Sequence, residues 1–469
     1  MNFDILVIGA GPGGYVCAIR AAQLGLKVGI VEKEHFGGIC ANWGCIPTKA
    51  LLRSSEVYHL AKHAKDFGVI AENIKPDLSA MIARSRNVAK TMQNGVSSLM
   101  KKNKIETING TANFVDKNTI EVQNDGKSFR FTAKNIVIAT GARARILPGF
   151  EPDGERIWTY KEAMNPSFTP KSVVVIGSGA IGAEFAYFYN SIGVKTTILE
   201  AMDRILPVED KDVSSFVEKS FKKDGMDVQC GVKLQSMRRD KKSVEVFYEL
   251  SGQKMSIVAD ALIMAVGVVP NTENLNLDLA NVKLDGKNLV SVDSFCQTST
   301  SNIYAIGDIV TGPWLAHKAS HEGVIVAEKV ASELGKYDKK KIHPIVRENI
   351  PGCTYCKPQV ASLGLTEEKA KEKFKDIKVG KFPLMANGKA VALGEIDGFV
   401  KIIFAGNTGE IIGCHMVGAE VTEMIQGIGV AKQAELTEED LMQTIFPHPT
   451  ISESIHEAAL SAYGKALHF

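Results

Sequence analysis

Phe3-Asp4-Ile5-Leu6-Val7-Ile8-Gly9-Ala10-Gly11-Pro12-Gly13-Gly14 is an apolar run that ends in Gly9-x-Gly11-x-x-Gly14. A helical stretch (15–24), a strand-like stretch (27–31) and an acid, Glu32, follow it. The order strand, glycine turn, helix, strand, acid recurs. After the apolar residues 173–176 come Gly177-x-Gly179-x-x-Gly182, a second helical stretch, the strand-like 194–199 and Glu200. Gly9 to Gly177 is an offset of 168 residues, and each acid stands 18 residues after the last glycine of its motif. One such glycine motif is weak evidence, because glycines also serve tight turns. Two in a full βαβ context point to two dinucleotide sites. The glycines let backbone approach a pyrophosphate held at a helix N-terminus by free N–H groups and the helix dipole, and the acid takes ribose hydroxyls. The expected fold class is therefore α/β, built on two Rossmann-like dinucleotide-binding domains.

Five residues beyond Glu32 begins Gly37-Gly38-Ile39-Cys40-Ala41-Asn42-Trp43-Gly44-Cys45-Ile46-Pro47-Thr48-Lys49. Residues five apart on a regular helix lie about 7.5 Å apart along the axis, while a disulfide needs Cα atoms about 4.4–6.8 Å apart. A bridge between Cys40 and Cys45 must then distort the first turn. Gly44 and Pro47 supply a flexible joint and a fixed φ near a helix start. Two unrelated buried cysteines are the plain alternative. The whole segment matches the pattern GGxCxNxGCIP(S/T)K, and with it the chain resembles the pyridine nucleotide–disulfide oxidoreductases.

The resemblance covers essentially the whole chain and implies a redox-active disulfide, Cys40–Cys45, beside FAD. It assigns Gly9, Gly11, Gly14 and Glu32 to the FAD site, supported by Ala139-Thr140-Gly141 after the apolar 136–138 and by the stretch 303–308, whose Asp308 is expected against the ribityl and phosphate region. Ala316, in Leu315-Ala316-His317-Lys318-Ala319, matches a flavin-side segment of the family. Lys49 is expected near the flavin and paired with Glu184, where a cation stabilises reduced flavin and thiolate. The second fingerprint, with Gly177, Gly179, Gly182, Glu200 and Gly267, is expected to hold NAD. Glu200 repels a ribose 2′-phosphate, although Arg204 nearby is of the type that accommodates one. Pro447-His448-Pro449-Thr450-Ile451-Ser452-Glu453 matches the HPTxxE motif, in which the histidine is the acid–base catalyst and the glutamate orients it. The ordinary imidazole pKa of about 6.5 suits thiol proton transfer near neutrality. Thr450-x-x-Glu453 also reads as a capping box, a role that can coexist with catalysis. The family carries a cis peptide after this histidine.

The 469 residues suffice for about three domains. The sequence predicts a first FAD-binding part over 1–145 with a helical insertion near 51–104. An NAD-binding domain over 146–272, a return to the FAD domain over 273–343 and, by resemblance, a C-terminal α+β dimerisation domain over 344–469 follow. A net charge of +2, from 55 Lys+Arg and 53 Asp+Glu, gives no electrostatic argument for nucleic acid or an anionic membrane. No uninterrupted apolar stretch of ~20 residues is present, and eight cysteines are too few for a disulfide scaffold. Those readings, with a strand in place of a leader at the start, predict a cytoplasmic protein. Two constellations resemble metal sites and are not read as such. Cys353-x-x-Cys356 has no second ligand pair nearby, and His317 and His321 lack the glutamate spacing of a zincin. No metal is expected.

Within the family, Ile46-Pro47-Thr48-Lys49 favours a lipoyl substrate, since members acting on glutathione carry lysine at the position of Thr48 and prefer NADP. The chain also ends at Phe469 with no additional C-terminal redox pair. The resemblance thus implies a homodimer that oxidises protein-bound dihydrolipoyl groups of 2-oxo acid dehydrogenase or glycine cleavage complexes and reduces NAD, with their lipoyl domains as partners. The rivals are another flavoprotein disulfide reductase, an NADH oxidase or transhydrogenase of the same fold, which normally lacks one of the two cysteines, and an interaction subunit without chemistry.

Overall fold

The computed structural model describes residues 2–469. Chain contacts divide it into two compact units, the first comprising 2–51, 79–145 and 268–346 and the second 52–78, 146–267 and 347–469.

In the first unit, β1 (Asn2–Ile8), α1 (Pro12–Gln23) and β2 (Val28–Glu32) form the expected βαβ turn, followed by α2 (Gly38–Trp43) and α3 (Cys45–Lys62). β1 is buried on both faces from residue 5 to 8, as its unbroken Ile-Leu-Val-Ile run requires of a central parallel strand. It lies between β2 and the strand Lys127–Ile138, both parallel to it. That long strand has two halves. Residues 127–132 pair antiparallel with Thr119–Asn124 as part of a meander with Thr111–Asp116, while 136–138 take Ile303–Ala305 as a parallel neighbour. The helix Ala316–Glu333 packs on α1 at glycines: a Cβ on Gly323 would sit 2.5 Å from the Gly13 carbonyl oxygen.

The second unit contains the repeat. Its parallel sheet runs Asp227–Cys230, Lys195–Glu200, Ser172–Ile176, Ala261–Met264, Ile157–Trp158, and another three-stranded antiparallel layer, Lys233–Arg239, Val244–Leu250 and Gln253–Ala259, precedes the returning strand. The same unit holds a five-stranded antiparallel sheet ordered Gly352–Thr354, Gln359–Gly364, Ile411–Gly418, Phe399–Ala405, Ile377–Pro383. Helices Val421–Gln433 and Glu453–Ser461 share its core through Ile425, Ile428, Ile455 and Ala459. A buried Lys401 joins this α+β part to the nucleotide-binding part. Its Nζ lies 2.9 Å from Asp210, 2.6 Å from Glu367 and 3.2 Å from Asp212.

The α/β class with an α+β C-terminal part is as expected from the sequence. Residues Val268–Pro270 pair antiparallel with Ala142–Ala144 of the first unit. Residues 52–78, assigned by sequence to the FAD-binding part, group with the second unit.

Candidate active site and dinucleotide cradles

The two glycine turns share one backbone geometry. Gly9 has φ +100° and Gly177 φ +94°, the left-handed region that only glycine enters at little cost. A Cβ on either would lie 2.4 Å from a carbonyl oxygen, that of Ala139 in the first copy and of Ala265 in the second. The third glycines are forced by close approach, since a Cβ would meet Gly9 O at 1.8 Å from Gly14 and Gly177 O at 2.0 Å from Gly182. The middle glycines differ: Gly11 and Gly179 are helix N-caps in extended backbone, and a Cβ on either meets nothing within 4 Å. Open space thus faces a helix N-terminus whose first N–H groups have no intrahelical acceptor.

Glu32 Oε2 accepts the Ala10 N–H at 2.7 Å and Oε1 the Glu34 N–H at 2.8 Å. The same positions 168 residues on repeat the clamp, with Glu200 accepting from Ser178 N–H at 2.7 Å and Met202 N–H at 2.8 Å. The Ser178 hydroxyl adds a third bond, at 2.6 Å. A carboxylate fixed at the strand end beside an unobstructed helix N-terminus fits the ribose and pyrophosphate of a dinucleotide, twice over. Arg204 is held by Glu368, Nη2 to Oε2 3.0 Å, so the cation available for a 2′-phosphate is already paired.

The cysteine segment is fastened to the first cradle. The Gly37 N–H donates to Ala10 O at 2.8 Å, and Gly38 packs so closely that a Cβ there would lie 2.7 Å from the Gly11 Cα. The Asn42 amide donates to Phe36 O and Gly38 O, bracing the turn. The helix breaks at Gly44, where α2 ends and α3 begins at Cys45, and a Cβ at Gly44 would crowd Ile39 O at 3.2 Å. Both cysteines are thiols in this structure. Cys40 is pushed up strongly, first by its hydrogen bond to Cys45 and then by burial, while Lys49 and the Cys45 N–H oppose. The Cys40 thiol therefore holds its proton in the reduced pair. Arg86, its guanidinium 4.3 Å from the Trp43 ring centroid, packs beside this turn.

Ala139-Thr140-Gly141 sits where the chain leaves the first unit and returns. The Thr140 hydroxyl donates to Asn271 O at 2.7 Å, the Asn271 side chain donates to Thr140 O at 3.0 Å, and the Asn271 N–H donates to Gly141 O at 2.9 Å. Asp308 follows the strand Ile303–Ala305, half-buried, its carboxyl pushed up to about 6 chiefly by burial. Ala316 opens the helix Ala316–Glu333. The buried neighbours Lys318 and Glu322, which the sequence reading did not single out, bond the Gly307 backbone next to Asp308. An i,i+4 Lys/Glu pair just ahead of the apolar run 324–327 of the same helix was the signal available for them.

In the second unit His448 Nδ1 lies 2.9 Å from Glu453 Oε1, and the peptide to Pro449 is cis. The other carboxylate oxygen accepts the Thr450 N–H at 2.8 Å. Only half of the capping box forms: the Thr450 hydroxyl donates to Pro447 O, and the helix begins from Ser452 with no side-chain cap bond. Burial pushes the Glu453 carboxyl up, and the Thr450 N–H and His448 outweigh it, holding it below the ordinary range. Glu184, on the helix Ala180–Ser191, accepts the Tyr355 N–H at 3.0 Å. Cys353 faces the Thr422 carbonyl while the buried Cys356 turns to Pro358 O. Among the described residues no group of three or more His, Cys, Asp or Glu could hold a metal, and no helix is long and apolar enough to cross a membrane.

Residues 3–323 match the model for pyridine nucleotide-disulphide oxidoreductases and 350–459 that for the dimerisation domain of the same group. Curated relatives include the dihydrolipoyl dehydrogenases of Rhizobium etli, 52% identical over 99% of both chains, and of Zymomonas mobilis, 50% identical over 100% of this chain and 99% of that one. Similar solved structures include LpdA from Mycobacterium tuberculosis, 28% identical with a TM-score of 0.89 over 97% of this chain and 98% of that one. The flavoprotein disulfide reductase RclA from Escherichia coli is 26% identical, with a TM-score of 0.85 over 98% and 99%. With paired dinucleotide cradles, a thiol pair fastened to one of them and these whole-length likenesses, the chain belongs to the pyridine nucleotide-disulphide oxidoreductase family.

Proposed function

We propose that this chain acts as a dihydrolipoyl dehydrogenase, oxidising protein-bound dihydrolipoyl groups of 2-oxo acid dehydrogenase or glycine cleavage complexes and reducing NAD. The observation that carries the reading is the thiol pair across the broken helix at Gly44, tied by Gly37 and Gly38 to the first glycine cradle. FAD belongs at that cradle, with Glu32 and Asp308, and NAD at the second, with Glu200. When bound, they supply the two-electron carriers that take electrons from the thiol pair and deliver them to nicotinamide.

The chain's own part is proton and sulfur chemistry. His448, held by Glu453, takes a proton from one substrate thiol. The thiolate attacks Cys40 Sγ of the disulfide and releases Cys45 as thiolate. The second substrate thiol then displaces Cys40, leaving oxidised lipoyl and a reduced pair. Lys49, near enough to lower Cys40 by its charge, favours the thiolate form, and a pairing with Glu184 belongs to the same reading. The match to the dimerisation domain supports a homodimer, in which His448 serves the disulfide of the partner subunit. Lipoyl domains are the docking partners, and the scarcity of cysteines supports a cytoplasmic setting.

Anaerobic titration tests the assignment. Dihydrolipoamide and NADH should each reduce the flavin of the wild type, whereas Cys45→Ser should respond to NADH alone. Flavin reduction by dithiol in Cys45→Ser overturns the sulfur pathway. Mixing Cys45→Ser with His448→Gln under subunit exchange should restore about a quarter of wild-type activity, because half of the dimers then carry one intact site of two. No recovery despite exchange refutes the shared site.

A further inference from the structure

Lys318 and Glu322 stand one turn apart on the helix Ala316–Glu333, their side chains 2% and 7% exposed, with Nζ 2.9 Å from Oε1. The remaining Glu322 oxygen accepts the Gly307 N–H at 2.8 Å, and Lys318 Nζ donates to Gly307 O at 3.2 Å. One ion pair thus grips both polar backbone atoms of a single residue, itself at φ +79°, and the next residue is Asp308. A buried ion pair gains little stability for its burial, because desolvation offsets the attraction. Its position suggests a different use. The strand Ile303–Ala305 runs parallel to 136–138, so Asp308 emerges at the carboxyl edge of the sheet, where open α/β sheets bind ligands and where Gly9–Gly14 also lies.

We propose that Lys318 and Glu322 are positioning residues for FAD: they fix the turn that presents Asp308, and their opposite charges set how readily Asp308 remains an anion able to accept hydroxyls of the cofactor. The inference rests on the FAD reading above and deepens it. Lys318 lowers and Glu322 raises the Asp308 carboxyl, which burial has already pushed up to about 6. Besides Asp308, the buried Cys296 thiol lies within the field of both charges, and it in turn feels Asp293 and Cys17.

The test follows FAD retained by the holoprotein on ultrafiltration, read from flavin absorbance between about pH 5 and 9. Wild type should begin to lose FAD as pH falls through about 6. Lys318→Met should move that loss upward by about 1–3 pH units, as expected for removing a nearby opposite charge, and Glu322→Gln should move it downward. Lys318→Arg should restore the wild-type midpoint. A staple without electrostatic effect predicts weaker retention in both variants with an unmoved midpoint; that result, or no change in either, overturns the proposal. If Lys318→Met does not fold, Glu322→Gln carries the test alone, since an amide oxygen still accepts from Gly307. Asp308→Asn should abolish the pH step. A wild type that holds no FAD refutes the cofactor reading itself, whereas a step that Asp308→Asn abolishes but neither charge variant moves refutes only the clamp.

Discussion

Gly179 and Gly182 are three residues apart in one turn, and substitution by alanine should have opposite consequences. At Gly179 the backbone is extended, φ −62° and ψ −179°, and a Cβ meets nothing within 4 Å. Alanine is therefore compatible with the fold and should stabilise it by about 0.4–1 kcal/mol through the unfolded chain. The new methyl nevertheless fills the space left for the pyrophosphate. If its effect resembles overpacking, about 1–3 kcal/mol, the Kd for NAD rises roughly 5- to 150-fold. At Gly182 the Cβ would sit 2.0 Å from the Gly177 carbonyl oxygen, so backbone must shift and the melting temperature should fall. Thermal melts, NAD titration and flavin reduction by dihydrolipoamide separate the cases. Gly179→Ala should melt at or above wild type, bind NAD weakly and retain the dithiol half-reaction. An unchanged NAD affinity in Gly179→Ala, or a melting temperature well below wild type, would refute the argument that this space is the ligand's.

Glu453→Gln removes a charge that serves both His448 and the Thr450 N–H. Loss of one charge-assisted bond, about 1.5–3 kcal/mol, should slow dithiol oxidation roughly 10- to 150-fold and leave flavin reduction by NADH unaltered in stopped-flow traces; equal losses in both would contradict the orienting role. Glu368→Gln frees Arg204 and should improve NADP use, while Glu368→Gln with Arg204→Ala should return to wild type; steady-state rates with NAD and NADP decide it. The buried Glu209 is raised from 4.5 to about 7, mainly by burial with Ser362 opposing. A raised carboxyl favours folding below its unfolded value and loses that contribution as pH rises through the folded one. Glu209→Gln should thus be more stable than wild type by up to roughly 3 kcal/mol above about pH 7 and lose the advantage toward pH 4.5. Urea unfolding on either side of that window measures it.

Features governed by short-range geometry were legible in the residues. Two glycine turns with an acid 18 residues beyond each specify a strand, a helix start and a carboxylate clamp, because every contact involved lies within about one βαβ unit. Cys40 and Cys45 were readable for the same reason: any approach of the two sulfurs needed a broken helix, and Gly44 supplied the break. Glu453 showed the limit of such reading, since spacing alone left it as cap, orienter or both, and the cap is half-made, with the helix beginning from Ser452 and the Thr450 hydroxyl donating to Pro447. Longer-range partners were decided by tertiary structure. Asn271 bonds Thr140 across 131 residues, beside the pairing of Val268–Pro270 with Ala142–Ala144. Likewise Lys401 found Asp210 across 191, and the Lys318–Glu322 pair found Gly307 only once helix and strand were packed. Backbone geometry ties residues a few positions apart, so their spacing carries the information; groups a hundred residues apart meet only where the folded layers bring them together, and a charge in a helix reads the same in sequence whether it faces water or grips a buried peptide.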